Sequence, residues 1–217
     1  MIRRLLNMVF PPKCVLCGNL LEKEESDLCR HCREDAPVYS QGKLKVQFLD
    51  SFTAVWYYED WVRRSLLRYK FHGARHYADT YGRMLAMRIQ REHPEGFDVI
   101  TWVPVSQLRK LRRGYDQVEL LAKTVSAELG IPAKRLLKKV RHNPPQSGFS
   151  GHPQRRANVL GVYRCTDFPS IENKRILLLD DILTTGATAG ECARVLLSAG
   201  GSEIHGAVVA AARKHKQ

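Results

Sequence analysis

From residue 52 to residue 209, short apolar runs alternate with segments whose apolar positions recur at helical spacing. The runs at 52–58, 98–103, 175–180 and 203–209 have the length and composition of strands. The segments 61–69, 77–90, 115–129 and 188–198 have the three-to-four-residue periodicity of helices. Because the run at 175–180 is continuously apolar, we expect a strand that is buried on both faces. The alternation predicts an α/β fold, in which helices flank a parallel sheet.

The two ends of the chain differ in organisation. Residues 1–40 show little periodicity and hold four of the six cysteines, which predicts a small metal-stabilised module. A linker is expected around 36–50, followed by the α/β domain over 50–217. Between 141 and 158, proline and glycine interrupt every pattern. A loop of that length inside a compact domain is usually functional.

Charge is concentrated in one part of the chain. The 217 residues carry a formal net charge of +13. Twelve Lys and Arg residues against three acids between 104 and 156 account for +9 of it. Such a concentration favours phosphorylated ligands or nucleic acid. No apolar run reaches the ~18 residues of a membrane span, and the N-terminal segment lacks a signal-peptide cleavage pattern. We therefore expect a cytoplasmic protein without membrane insertion.

The cysteines of the N-terminal module form two pairs, Cys14-x2-Cys17 and Cys29-x2-Cys32. Four thiolates in two such turns are a common ligand set for tetrahedral, structural Zn²⁺. A redox CxxC is the alternative, and the duplication of the motif argues against it. His31 lies inside the second turn and is expected to be a bystander.

The stretch after the apolar strand at 175–180 combines carboxylates with a loop of small and hydroxyl-bearing residues. The strand leads into Asp180 and Asp181, and the loop is followed by a helix. Backbone amides of such a loop and a helix N-terminus bind phosphate, whereas paired carboxylates suit ribose hydroxyls. No GxxxxGK or GxGxxG motif is present, which disfavours P-loop and dinucleotide sites. An ordinary strand–turn–helix is the alternative. The predicted loop residues are Thr184, Thr185, Gly186, Ala187 and Thr188.

This stretch resembles the motif with which type I phosphoribosyltransferases bind 5-phosphoribosyl-1-pyrophosphate (PRPP). The whole chain resembles the ComF family of competence-related proteins, which adds a zinc ribbon to that domain. The segments that carry the second resemblance are the paired cysteines, 69–73, 103–106, 113–117, Gln146, Arg155 and Asn158. The resemblance implies a type I phosphoribosyltransferase-like sheet domain, with Asp180 and Asp181 on the ribose hydroxyls and 184–188 around the 5′-phosphate.

The resemblance also implies how the pyrophosphate of PRPP and its Mg²⁺ are bound. Ser106, Arg112 and Arg113 correspond to a pyrophosphate loop, and 141–158 to a flexible hood that supplies Arg155. Lys70 is a further candidate contact. Asp116 stands where the family usually has Asn, which leaves the role of this position open.

Three functions are compatible with these features. The first is a phosphoribosyltransferase of unknown acceptor. The second is a non-catalytic protein that binds PRPP and single-stranded DNA, and the third is a PRPP-sensing regulator. The ComF resemblance implies a role in DNA uptake during natural transformation, with other DNA-uptake proteins as further candidate partners.

Overall fold

The computed structural model describes residues 11–40, 45–141 and 159–213. Its strands are β1 (Ser51–Tyr57), β2 (Val99–Trp102), β3 (Leu137–Lys139), β4 (Tyr163–Cys165), β5 (Arg175–Leu183) and β6 (Glu203–Ala211). Four of them form a parallel sheet in the order β1-β6-β5-β2, whereas β3 and β4 form an antiparallel pair. The predicted α/β fold with a parallel sheet is confirmed.

The helices of the described residues are α1 (Arg30–Asp35), α2 (Asp60–Phe71), α3 (Tyr77–Glu92), α4 (Gln107–Arg113), α5 (Gln117–Leu129) and α6 (Ala187–Ser198). None of these helices is long and apolar enough to cross a membrane. Each helix predicted between 61 and 198 is present, with ends that differ from the prediction by one or two residues. Helix α4 was not predicted, because its sequence is short and dominated by basic residues, and none of its residues is buried.

Strand β5 has buried apolar residues on both faces, as its sequence requires. Leu177 and Leu179 pack into the core formed with α2, α3 and α5. Ile176 and Leu178 pack into a second core with α6 and the β3–β4 pair. Successive side chains of a strand point to opposite faces, so a run of apolar residues is needed where both faces are covered.

The N-terminal module packs directly against the sheet domain. Val15 and Leu16 lie in the same buried cluster as α2 and α3. Ser65 of α2 donates a hydrogen bond to the carbonyl of Val15, and Arg68 Nη2 donates to the carbonyls of Val15 (3.1 Å) and Leu16 (2.6 Å). The module and the sheet domain therefore share one core and a polar interface on α2.

Strand β5 is longer than its apolar run predicted. It continues through Asp180 and Asp181 to Leu183, because β6 extends to Ala211 and pairs with it along this length. The two carboxylates consequently lie within the strand, near its carboxyl end, and do not follow it.

Asp116 has a structural role at the start of α5. Its carboxylate accepts hydrogen bonds from the backbone amides of Val118 and Glu119, both at 3.1 Å, and so caps the helix. Asn and Asp are about equally good N-caps, so the exchange of Asn for Asp preserves this interaction. Burial nevertheless raises the pKa of Asp116, although the two amides partly offset it.

We expect Asp116→Asn to be at least as stable as the wild type at pH 7, and Asp116→Ala to be less stable than Asp116→Asn by about 0.5–2 kcal/mol. A carboxyl whose pKa is raised on folding lowers stability once the unfolded carboxyl ionises, above about pH 4. Asn keeps the cap and removes that cost. Urea unfolding at pH 7 measures both variants, and equal stability of the Asn and Ala variants would contradict the capping role.

Candidate functional site

A pocket of about 180 Å³ opens at the carboxyl edge of the parallel sheet, where β2 and β5 end. We call it the acid pocket. Since all four strands of the sheet run in the same direction, the segments that follow them meet at this edge. Its polar lining residues are Lys70, Arg109, Arg113, Gln117, Lys139, Asp180, Asp181 and Thr188.

Asp181 is buried and held on both of its oxygens. Lys70 Nζ lies 2.8 Å from Oδ1, and the two side chains are only 17% and 7% exposed. Gln117 Nε2 donates to Oδ2 at 3.1 Å. Helices α2 and α5 thus fix this carboxylate, and the lysine neutralises its charge. Gln117 Oε1 is itself buried and has no hydrogen-bond partner within the described ranges.

Asp180 is the more available of the two carboxylates. Its side chain is half-buried, and the only hydrogen bond found for it in the described part of the chain is to the backbone amide of Asp181, at 2.8 Å. Burial raises the pKa of Asp180, and the negative charge of Asp181 raises it further. A carboxylate in this state gains from a ligand that donates hydroxyl hydrogens or brings a cation.

The loop before α6 is tightly packed and encloses a small cavity. Gly186 adopts φ 77° and precedes the first turn of α6. A Cβ at this position would lie 2.8 Å from Cγ2 of Val46, so the close approach requires glycine. Thr184, Gly186, Ala187 and Thr188 line a small cavity of about 60 Å³ that borders Asp180. The hydroxyl of Thr185 instead accepts a hydrogen bond from the amide of Ala187 at 3.3 Å.

Cations from separate elements complete the acid pocket. Arg109 and Arg113 come from α4, Lys139 from β3, and Lys70 from α2. Burial and, to a smaller extent, the nearby charge of Arg109 together lower the pKa of Lys139 to about 8. Burial also lowers the pKa of Arg113. Desolvated cations of this kind gain from an anionic ligand.

The residues predicted to contact pyrophosphate do not all line the same pocket. Lys70 and Arg113 line the acid pocket. Arg112 is exposed and lines a neighbouring pocket. Ser106 is buried, and its hydroxyl caps α4 by accepting from the amide of Arg109 at 3.4 Å. Arg155 lies outside the described residues.

Among the charged and amide-bearing residues of the pocket, three were not predicted as site residues. Gln117 and Arg109 belong to the basic, glycine-containing segment after β2, whose motif could have indicated them. Lys139 is the last residue of the short strand β3, and the sequence carries no signal that brings it to this edge. Only the packing of β3 and β4 beside β5 and α6 places it there.

The four predicted zinc ligands lie together in the N-terminal module. The Sγ atoms of Cys14, Cys17, Cys29 and Cys32 are all within 4.8 Å of one another, and Cys17 and Cys29 are 3.7 Å apart. Zn–S bonds of about 2.3 Å in a tetrahedron require S–S separations of about 3.8 Å. No disulfide joins them, and the amide of Asn19 points at Cys17 Sγ from 3.5 Å. The cluster fits a tetrahedral thiolate site.

Known protein families match both parts of the chain. Residues 5–43 match the model of the double zinc ribbon domain, and residues 119–217 match that of the phosphoribosyl transferase domain. The first match contains the cysteine cluster, and the second contains Asp180, Asp181 and the loop before α6. Together they support a structural zinc site beside a phosphoribosyltransferase-type sheet.

Individual relatives extend the similarity over most of the chain. Competence protein F of Haemophilus influenzae is 29% identical over 203 residues, which cover 87% of each protein. Competence protein ComFC of Bacillus subtilis is 26% identical over 199 residues, covering 86% of this chain and 78% of the relative. The solved structure of a glutamine PRPP amidotransferase from B. subtilis aligns with 63% of this chain, and the aligned part is 26% of the amidotransferase chain. The sequence identity is 26% and the TM-score is 0.41. With both domains matched and the competence proteins aligned along most of its length, the chain is similar to competence proteins F and ComFC in both of its parts.

Proposed function

We propose that the protein binds PRPP with Mg²⁺ in the acid pocket and acts as a phosphoribosyltransferase-like component of DNA uptake. The observation that carries the proposal is the half-buried carboxylate of Asp180, which borders both the small cavity before α6 and a pocket lined by partly buried cations. PRPP has ribose hydroxyls between two phosphorylated ends, and so matches this order of groups.

Each part of the ligand has a partner in the proposal. Asp180 accepts from the ribose hydroxyls, and the backbone amides and hydroxyls of 184–188 bind the 5′-phosphate. Arg109, Arg113 and Lys139 face the pyrophosphate, with Arg155 as a further candidate. Mg²⁺ bound with the ligand supplies charge neutralisation of the pyrophosphate when it leaves. Asp181 acts through the pair that it forms with Lys70, and orients that lysine in the pocket.

The role in DNA uptake rests on the relatives. The two proteins aligned along most of the chain are named competence proteins. We infer the same process for this protein, in the cytoplasm and together with other DNA-uptake proteins. The proposed activity is transfer of the phosphoribosyl group of PRPP to an acceptor. The alternative is that the protein binds PRPP without turnover.

We expect PRPP with Mg²⁺ to raise the melting temperature of the wild-type protein, because a ligand that binds only the native state stabilises it. Asp180→Asn should abolish most of this shift without lowering the stability of the free protein, since the substitution removes a carboxylate whose pKa burial has raised. Differential scanning fluorimetry provides the measurement.

The matched control is Asp167→Asn, which removes a carboxylate away from the acid pocket. It should retain the full PRPP shift. Asp181→Asn is a weaker test, because it also leaves Lys70 buried without its partner. Wild-type PRPP affinity of Asp180→Asn would show that the assigned site is wrong.

The cysteine cluster holds one structural Zn²⁺ in this proposal. A metal that joins two distant turns contributes directly to the free energy of folding. Because Val15 and Leu16, next to Cys14, are part of the core shared with α2 and α3, loss of zinc should also weaken the sheet domain.

The purified protein should contain about one zinc per chain, as expected for four thiolates around one ion. Cys14→Ser should lose the metal, expose the N-terminal module to protease and lower the melting temperature of the whole chain. Elemental analysis and limited proteolysis provide the readouts. Cys165→Ser is the control, since Cys165 lies on β4 outside the cluster, and should keep its zinc. Full protease resistance of a zinc-free protein would contradict the structural role.

The second part of the proposal is that single-stranded DNA binds to the antiparallel pair β3–β4. Lys138 and Arg164 are exposed and directly opposite each other in its register, and within the described ranges neither forms an ion pair. Like charges at this separation are unfavourable unless an anion bridges them. Exposed Lys134 precedes the same strand. This arrangement fits a phosphate backbone.

We expect single-stranded DNA to bind with an affinity that falls linearly with salt on logarithmic axes, with a slope of about 0.7 per phosphate contact. Changing Lys134, Lys138 and Arg164 to Gln should flatten the slope and leave PRPP binding unchanged. Fluorescence anisotropy with a labelled oligonucleotide at several salt concentrations is the measurement.

The control changes Arg91 and Lys174 to Gln, because both are exposed cations remote from the carboxyl edge of the sheet. If the three-residue variant binds DNA normally and PRPP displaces DNA from the wild type, DNA binds at the PRPP site and β3–β4 is not a DNA-binding surface.

A further inference from the structure

A second and larger pocket adjoins the acid pocket on the side of α2 and α4. Its volume is about 780 Å³, within the 300–1,000 Å³ range of sites for small molecules. We call it the Phe71 pocket. Lys70, Arg109 and Arg113 line both pockets, so a ligand in one lies beside a ligand in the other.

The wall of the Phe71 pocket is strongly cationic. Arg63 and Arg112 add to the three shared cations, and no described residue that lines the pocket is acidic. Within the described ranges, neither Arg112 nor Arg113 forms an ion pair, and Arg113 is partly desolvated, which lowers its pKa. An uncompensated, partly buried guanidinium favours a negatively charged ligand.

The floor of the pocket is aromatic. The ring of Phe71 is 62% exposed although it lies at the end of a packed helix. The guanidinium of Arg113 lies 4.8 Å from its centroid. Tyr58 and Tyr115 line the same space. Exposed aromatic faces beside cations form stacking surfaces for planar rings.

We propose that the Phe71 pocket binds a planar aromatic ring that carries at least one phosphate or carboxylate group. The ring stacks on Phe71, and its anionic group meets Arg63 and Arg112. If the acid pocket binds PRPP as proposed above, this molecule is the second ligand of the site. The chemistry fits two sources, a nucleoside monophosphate and an aromatic carboxylate.

Isothermal titration calorimetry of the full chain, without PRPP, tests the binding directly. The probes are AMP and UMP for the first source, and pyridine-2,3-dicarboxylate for the second. Adenosine supplies a ring without the charge, and inorganic phosphate supplies the charge without a ring. At least one planar anion should bind about tenfold more tightly than both partial probes, because stacking and charge contribute separately.

Two variants assign the binding to this pocket. Phe71→Ala should weaken the bound probe about tenfold, the scale of one stacking contact. Arg63→Gln should weaken it less, and in proportion to the charge of the probe. Both residues are exposed, so folding should be preserved, which the melting temperature checks. Leu111→Ala is the control, because Leu111 is 79% exposed on α4 and does not line the pocket, and it should bind as the wild type.

Several outcomes would overturn the inference. The inference is wrong if no planar anion exceeds inorganic phosphate in affinity, or if Phe71→Ala binds the probe as the wild type does. Loss of oligonucleotide binding in Phe71→Ala, with no binding of small planar anions, would instead assign the pocket to the DNA surface. The PRPP melting shift, measured on the same samples, separates the two proposals: a normal shift without planar-anion binding contradicts only this inference, and the reverse contradicts only the PRPP site.

Discussion

The buried pair between Lys70 and Asp181 is the interaction on which the carboxyl edge of the sheet depends. A lysine and a carboxylate that are both mostly buried are costly to desolvate, and each becomes more costly if the other is lost. Their distance of 2.8 Å and the hydrogen bond from Gln117 provide the compensation. The pair fixes the end of α2 and the start of α5 to β5, and it leaves Asp180 as the carboxylate open to a ligand.

Helix α2, which carries Lys70, also contacts the N-terminal module. One part of the helix donates hydrogen bonds from Ser65 and Arg68 to carbonyls beside Cys14. The next turn carries Tyr69, fully buried, whose hydroxyl donates to the carbonyl of Gln117 and whose own carbonyl accepts from Tyr115. The cysteine cluster and the acid pocket are therefore connected through one helix, and the buried face of that helix is part of the core that the two modules share.

The basic residues between 104 and 156 do not form one uniform surface. Glu119 alone pairs with Lys110, Lys123 and Arg135, at distances from 2.6 to 3.4 Å. Arg109, Arg112, Arg113 and Lys139 instead line the two adjoining pockets, and Lys138 lies on the outer face of β3–β4. Net charge predicted an affinity for anions, whereas the positions of the acids determine where that affinity is located.

Local sequence determined the features that depend on neighbouring residues. Periodicity predicted the four strands of the parallel sheet and most helices but not β3 or β4, and the spacing of the four N-terminal cysteines predicted their cluster. The loop at 184–188 could be proposed as a phosphate site from the sequence alone, because such a site is built from consecutive residues. Tertiary structure alone decided that β5 continues past its acids, that Ser106 caps a helix, and that Lys139 and Phe71 border the site. Those features require residues from distant segments to meet, and sequence patterns carry no information about such contacts.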